Sequence, residues 1–200
     1  MTPAFAVLAA AAGAAGGWLA YLLVNRRSRP RHAFERPIAI AVPALLFPAL
    51  GLKFGFGSPA LAVYAGFTLI MVGVTIFDLR TQEIPHCVTL PGAAAGLLLG
   101  AAVLPPGFIR SLAGLLFGGG VLIVSTLFEA ARNKEVGGGD WKYAGMIGAF
   151  LGWPGVLTAL VLTGVFGVAG ALILKNRAAP GPQALGPWLS AGALGALLVS

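Results

Sequence analysis

Acidic side chains are scarce in this sequence of 200 residues, which has only six aspartates and glutamates against 13 lysines and arginines. Only two of the six are aspartates, Asp78 and Asp140. The single cysteine, Cys87, excludes an intrachain disulfide and any zinc site built from several cysteines. The two histidines, His32 and His86, are too few and too far apart in sequence for a convincing metal site. We therefore predict no metal and no other cofactor.

The chain is rich in apolar residues and poor in charged ones. The chain is 58% hydrophobic and 10% charged, with a mean hydropathy of +0.91. Its apolar stretches recur at lengths near ~18 residues, which matches the span that a hydrocarbon core of ~30 Å requires. The sequence therefore predicts an all-α fold, a polytopic bundle of transmembrane helices.

We predict eight helical segments from the apolar runs. They cover residues 4–24, 37–52, 60–77, 88–104, 109–128, 141–153, 156–174 and 184–199. No positively charged region precedes the first segment, so we interpret it as a retained span and not as a cleaved secretory signal. Residues 1–200 are predicted to form a single membrane domain, with N-terminal helices in 1–59 and a core in 60–200.

The basic residues predict the orientation of the bundle. Eleven of the thirteen lie in or beside the loops that follow the first, third, fifth and seventh segments, including the arginine-rich loop 25–36. Lysine and arginine accumulate on the cytoplasmic side of membrane proteins, so these loops are predicted to be cytoplasmic and both termini to lie outside. Anionic lipid headgroups explain the arginine-rich loop, and we predict no nucleic-acid partner.

The two aspartates lie where apolar runs meet short polar segments, at the same predicted cytoplasmic edge. Ionisable groups are costly there, which makes them candidates for function. Two carboxylates within hydrogen-bond reach share one proton and titrate as a pair. The ionised one takes a proton from the attacking water while the protonated one stabilises the oxyanion. We interpret Asp78 and Asp140 as the catalytic pair of an aspartic peptidase.

A glycine run that includes Gly137 and Gly139 leads directly into Asp140. Glycine adopts backbone conformations closed to other residues and lets another chain approach closely. Residues spaced four apart lie on one face of a helix. Beyond the carboxylate the residues of this face are small, so we predict that it packs against a neighbouring helix. The residues at this spacing are Asp140, Ala144, Gly148 and Gly152. Gly13 and Gly17 repeat the pattern in the first segment, where we interpret it as packing only.

Other interpretations of the same residues stay open. Asp78 on its own is also consistent with a helix end that pairs with Arg80 or Lys142. A proton-coupled transporter would use the two carboxylates as a relay, although the sequence has no clear internal repeat. A catalytically idle scaffold is a third alternative. Three glutamates in or beside the predicted cytoplasmic loops are interpreted as solvated partners of nearby cations: Glu83, Glu129 and Glu135.

The chain resembles the type IV prepilin peptidase family, membrane aspartic proteases of the GxGD kind. The matching features are Asp78 with the following Ile84-Pro85, Gly137-x-Gly139-Asp140 with Lys142, and the runs 148–153 and 186–194. The resemblance extends from about residue 70 to residue 200.

This resemblance implies cleavage of a short, positively charged leader from prepilin or pseudopilin substrates at the cytoplasmic face of the inner membrane. It also implies catalytic roles for Asp78 and Asp140 and a flexible active-site loop at Gly137 and Gly139. Lys142 matches a lysine of the family, and a cation that reaches towards the membrane interface is an equally good interpretation.

The sequence also departs from the family pattern. Many members carry a zinc-binding domain with paired cysteines between the first two spans, and they methylate the new N-terminus with S-adenosylmethionine. Here that position holds only the stretch 26–36, without cysteine. We therefore expect a peptidase without N-methyltransferase activity. His86 stands where an acidic or amide residue often follows the Ile-Pro pair, so we expect different local geometry near Asp78. The oligomeric state stays open.

Overall fold

The computed structural model describes residues 3–28, 30, 32–130, 138–174 and 184–199. Within these ranges every regular element is an α-helix, which confirms the predicted fold class. The helices are α1 (Pro3–Arg27), α2 (Glu35–Phe54), α3 (Pro59–Thr81), α4 (His86–Ala102), α5 (Gly107–Ala130), α6 (Gly139–Leu174) and α7 (Gly186–Val199). Five of them, α1, α2, α3, α5 and α6, are long and apolar enough to cross a membrane.

The helices coincide with the predicted segments apart from small shifts at their ends. The shift that matters most is at α3, which continues past Phe77 to Thr81. Asp78 therefore lies inside a helix and not in the loop that follows it. Helices α4 and α7 are shorter apolar helices of 17 and 14 residues.

The first of two compact units spans Met1–Gln82 and contains α1, α2 and α3. A methyl group on Gly17 would overlap the carbonyl oxygen of Ala39, and one on Gly13 would overlap that of Pro43. The glycines therefore let the backbones of α1 and α2 touch, which confirms that this small-residue pattern serves packing. A small core of this unit consists of Ala39, Val72 and Ile76, with Tyr21, Val24 and Val42 packed against it.

The second unit spans Glu83–Ser200 and contains α4 to α7. Its central contact joins α5 to α6 through glycine: a methyl group on either Gly114 or Gly148 would overlap the other residue's carbonyl oxygen. One turn away, a methyl group on Gly118 would lie 2.5 Å from the carbonyl oxygen of Ala144. The predicted small face of α6 therefore packs against a helix, and that helix is α5.

Helix α6 is broken at Gly152, whose φ of 72° and ψ of 175° are not helical. A methyl group on Gly118 would meet both Ala144 and, at 2.8 Å, the side chain of Val156. In a continuous helix Ala144 and Val156 would lie about 18 Å apart, so the chain reverses direction at Gly152. The two arms, 139–151 and 153–174, correspond to the predicted sixth and seventh segments. Counted in this way, the described residues contain the eight predicted helical segments.

Candidate active site

Asp78 lies in the last turns of α3 and is buried, with 3% of its surface exposed. Its carbonyl oxygen accepts a hydrogen bond of 2.8 Å from the N–H of Gln82. Gln82 has a left-handed backbone with φ of 57°, a conformation that commonly ends helices. The carboxylate therefore sits on a helix that stops one turn later.

The faces of α3 determine where Asp78 is presented. Val72, Ile76 and Arg80 follow a spacing of four and all contact α1 or α2. Residues two positions apart point about 200° apart around a helix, so Asp78 lies on the face opposite to Ile76 and Arg80. Within the first unit, α3 thus turns Asp78 away from α1 and α2.

Arg80 is held by a buried polar network. Its Nε donates to Oε2 of Glu35 at 2.7 Å, and its Nη2 lies 2.6 Å from the same oxygen, an ion-pair contact without hydrogen-bond geometry. Its Nη1 donates to the carbonyl oxygen of Ser28 at 2.6 Å and to the side chain of Asn25 at 3.3 Å. Arg80 and Glu35 are 2% and 1% exposed. The network therefore connects α3 to the end of α1 and the start of α2.

Asp140 is the second residue of α6 and is half-buried. Gly139 precedes it, and a methyl group on Gly139 would lie 3.0 Å from Cβ of Ile84, which is itself buried. The glycine therefore lets the first turn of α6 lie against Ile84 of the same unit. The other glycine that we predicted for the active-site loop, Gly137, lies outside the described residues.

A buried hydrogen bond fixes the start of α6 against α7. The hydroxyl of Tyr143, one turn after Asp140, lies 2.6 Å from Oγ of Ser190. Ser190 in turn donates to the carbonyl oxygen of Gly186 at 2.8 Å. Tyr143 is completely buried. The first turn of α6 is therefore tied to α7 on one side and close to Ile84 on the other.

The remaining predicted site residues differ in their surroundings. Lys142 is half-buried, with its ammonium 5.2 Å from the centre of the Trp141 ring, a contact that fits either interpretation of this lysine. Glu83 and His86 are exposed. Cys87 is exposed too. The side chain of Glu129 and all of Glu135 lie outside the described residues.

No group of three or more histidine, cysteine, aspartate or glutamate side chains that could hold a metal ion occurs in the part of the chain that the structure describes.

Sequence reasoning missed Glu35, the acid that pairs with the buried Arg80. It is one of only four glutamates and begins an apolar segment, which was a usable indication because a carboxylate at that position needs a partner. Tyr143 and Ser190 were also not predicted to interact, since 47 positions separate them.

The family of the chain follows from comparison with known proteins. Residues 62–172 match the Type IV leader peptidase family, which is more than half of the chain and includes both Asp78 and Asp140. The chain belongs to the type IV leader peptidase family. The matched residues thus include most of α3 with Asp78, Ile84, and the first turn of α6 with Asp140.

Similar family members come from several bacteria. A "Prepilin leader peptidase/N-methyltransferase" from Burkholderia pseudomallei (strain 1026b) is 32% identical over 186 residues, which cover 87% of this chain and 59% of that protein. One from Aeromonas hydrophila is 33% identical over 171 residues, 81% of this chain and 57% of its own length. "Leader peptidase HopD" from Salmonella typhimurium (strain LT2) is 34% identical over 139 residues, 66% of this chain and 87% of that protein.

The chain therefore spans less than two thirds of the length of the peptidase/methyltransferase relatives, whereas it covers most of the Salmonella leader peptidase. No solved structure matches the chain. Family membership together with the five long apolar helices makes the chain an integral membrane protein.

Proposed function

We propose that this chain is an aspartic endopeptidase that removes the basic leader from type IV prepilin-like or pseudopilin precursors. The observation that carries the proposal is the close approach of Gly139 to Ile84. Gly139, which precedes Asp140, thus lies against the short segment that follows α3, the helix that carries Asp78. Both acids also fall within the family match. These features support a site in which the two carboxylates come together.

In the proposed reaction the carboxylates share one proton. The ionised carboxylate takes a proton from a water molecule as the water oxygen bonds to the scissile carbonyl carbon. The protonated carboxylate hydrogen-bonds the developing oxyanion. The carbon–nitrogen bond then breaks, and the departing amine takes up the proton that came from water. The two carboxylates titrate together, so the shared proton belongs to the pair and is not assigned to Asp78 or Asp140 alone.

The proposed site opens to the cytoplasmic face of the inner membrane. A polar leader reaches such a site from the cytoplasm while the apolar continuation of the precursor stays in lipid, so the scissile bond lies at the boundary. The bias of basic residues towards the loops after α1, α3, α5 and the second arm of α6 supports this orientation, with both termini outside.

We further propose that this chain does not methylate the product. Only residues 28–34 connect α1 to α2, and they contain no cysteine, so the zinc-binding domain that many methylating members carry there has no counterpart. Mass spectrometry of the cleaved product in the presence of S-adenosylmethionine should then detect an unmethylated N-terminus. A product heavier by one methyl group would contradict this part of the proposal.

The peptidase proposal is tested with purified protein and a prepilin-like peptide. We expect leader cleavage by the unmodified chain, and a loss of turnover of at least about 10²-fold in Asp78→Asn and in Asp140→Asn, because each removes a proton-transfer group. Glu83→Gln, which neutralises an exposed acid outside the pair, is the control and should cleave normally. Full cleavage by either aspartate variant would refute the shared-pair mechanism.

A further inference from the structure

The buried network around Arg80 has a position that suggests more than stability. Arg80 follows Asp78 by two residues and lies in the last turn of α3. Its guanidinium has partners on three sides: Glu35, Ser28 and Asn25. It also lies 5.5 Å from the centre of the Tyr21 ring. All of these partners belong to α1, α2 or the segment between them, within the first unit.

Glu35 is held as firmly as Arg80. Its Oε1 accepts a hydrogen bond of 3.0 Å from the N–H of His32, while Oε2 contacts the guanidinium. The carboxylate therefore joins the segment that enters α2 to the end of α3. Because the guanidinium is planar and donates in fixed directions, these bonds define the rotation of α3 about its axis as well as its position.

Stability alone is a weak explanation for such a pair. Removing two charges from water is costly, and replacing a buried ion pair by well-packed apolar residues is often neutral or stabilising. Apolar packing, however, does not fix the rotation of a helix about its axis as directional hydrogen bonds do. The rotation of the last turn of α3 decides where Asp78 points, since Asp78 and Arg80 lie on opposite faces of the same turns.

We infer that Glu35 and Arg80 are positioning residues for Asp78. Their ion pair fixes the end of α3 so that the carboxylate on the opposite face keeps its productive orientation. This inference rests on the proposed peptidase function. It also assigns a role to α2, which lies before residue 62, where the family match begins.

The test uses a double variant in which the pair becomes apolar, Glu35→Leu with Arg80→Met. Arg27→Met is the matched control, because Arg27 is an exposed arginine in the last turn of α1 of the same unit. Three quantities are measured on the full chain in detergent: the thermal midpoint of unfolding, hydrogen exchange of the backbone amides of residues 79–82, and kcat and KM for a prepilin-like peptide. The kinetics are normalised to the folded fraction.

We expect the double variant to keep a thermal midpoint close to that of the unmodified chain, to exchange amides 79–82 faster, and to lose kcat on the order of 10²-fold at unchanged KM, as for a slightly misplaced catalytic group. The control should match the unmodified chain in all three. Unchanged exchange and unchanged kcat in the double variant would overturn the inference. A kcat that falls only in proportion to folded protein would also overturn it, because it would reduce the pair to a structural role.

Two further outcomes are distinguishable. If the double variant does not fold, Glu35→Gln takes its place, since it keeps the shape of the side chain and removes its charge. If the unmodified chain does not cleave the peptide, the proposed function fails, and hydrogen exchange then decides the inference by itself. Faster exchange at 79–82 supports a fixing role at the end of α3, and unchanged exchange refutes it.

Discussion

The hydroxyl groups of Tyr143 and Ser190 form the buried hydrogen bond that ties the start of α6 to α7. A hydrogen bond of this kind contributes about 1 kcal/mol to stability. We expect Tyr143→Phe and Ser190→Ala each to lower the free energy of unfolding by about that amount. Unfolding in mixed detergent and SDS micelles measures it.

The two variants should not be additive. Residues that share a hydrogen bond show a coupling energy of about 0.5–3 kcal/mol in a double-mutant cycle, so the double variant should cost less than the sum of the single ones. Ser125→Ala, on an exposed serine of α5, is the control and should change the free energy of unfolding by less than about 0.5 kcal/mol. Strict additivity would mean that the two hydroxyls do not stabilise the start of α6 together.

At this scale the sequence drew attention to some residues and not to others, for physical reasons. It marked Asp78 and Asp140 as catalytic candidates because acids are costly in a chain so poor in charge, and their catalytic role stays a prediction. Glu35 carries the same information, but it adjoins a loop of arginines and is easily counted with the solvated charges there. The Tyr143–Ser190 bond leaves no local pattern, because neither periodicity nor charge relates residues on α6 and α7.

The reversal inside α6 depends on one glycine. With φ of 72° and ψ of 175°, Gly152 occupies a backbone region that is essentially restricted to glycine, and a methyl group there would lie 2.9 Å from Cβ of Pro106. We expect Gly152→Ala to lower the free energy of unfolding by about 1–3 kcal/mol from backbone strain, with the contact adding to it.

The matched control is Gly164→Ala in the second arm of α6. Gly164 is helical and no other atom lies within 4 Å of an added methyl group, so alanine should be neutral or stabilising by up to about 1 kcal/mol. Both variants are compared in the same detergent unfolding assay. A Gly152→Ala protein as stable as the control would mean that the chain passes this point in another conformation.

The contact between α5 and α6 gives a second prediction about elements. A methyl group on Gly148 would overlap the backbone of Gly114, which cannot move aside as a flexible side chain does. We expect Gly148→Ala to destabilise the protein by about 1–3 kcal/mol and to lower the proposed peptidase activity, because Asp140 lies in the first turn of the same arm. Gly120→Ala in α5 is the control, since its methyl group would meet open space. Equal stability of the two variants would contradict close backbone contact.

Elements were the most predictable level of this protein. Apolar runs fixed the helices to within a few residues, and the interruption near Trp153-Pro154-Gly155 separated the two arms of α6 although one helical element contains both. The spacing of four also predicted that the face of Ala144 and Gly148 packs closely. The partner helix was not predictable, because small residues on one helix permit contact without specifying which neighbour supplies the other half.

At the scale of the whole molecule, the charge pattern predicts more than the helices do by themselves. Apolar helices of this length fit either orientation in a bilayer, since hydrocarbon does not distinguish the two ends of a helix. The distribution of lysine and arginine distinguishes them. Whether Asp78 and Asp140 serve one site depends on this level too, because they share a membrane face only if the chain crosses between them an even number of times. The predicted shared face therefore requires that both α4 and α5 cross the membrane.

The orientation is testable with the native cysteine. Cys87 is exposed near the start of α4, on the predicted cytoplasmic side. A membrane-impermeant maleimide should therefore label it in sealed inside-out vesicles and not in right-side-out vesicles.

The matched variant carries Cys87→Ser with Pro105→Cys, which moves the thiol to an exposed position in the connection after α4. Its labelling should be the reverse, because α4 lies between the two positions. Labelling of both thiols from the same side would show that α4 does not cross the membrane. Exchange of the two patterns would put the end of α3, with Asp78, on the outer face, where a leader that stays in the cytoplasm cannot reach it.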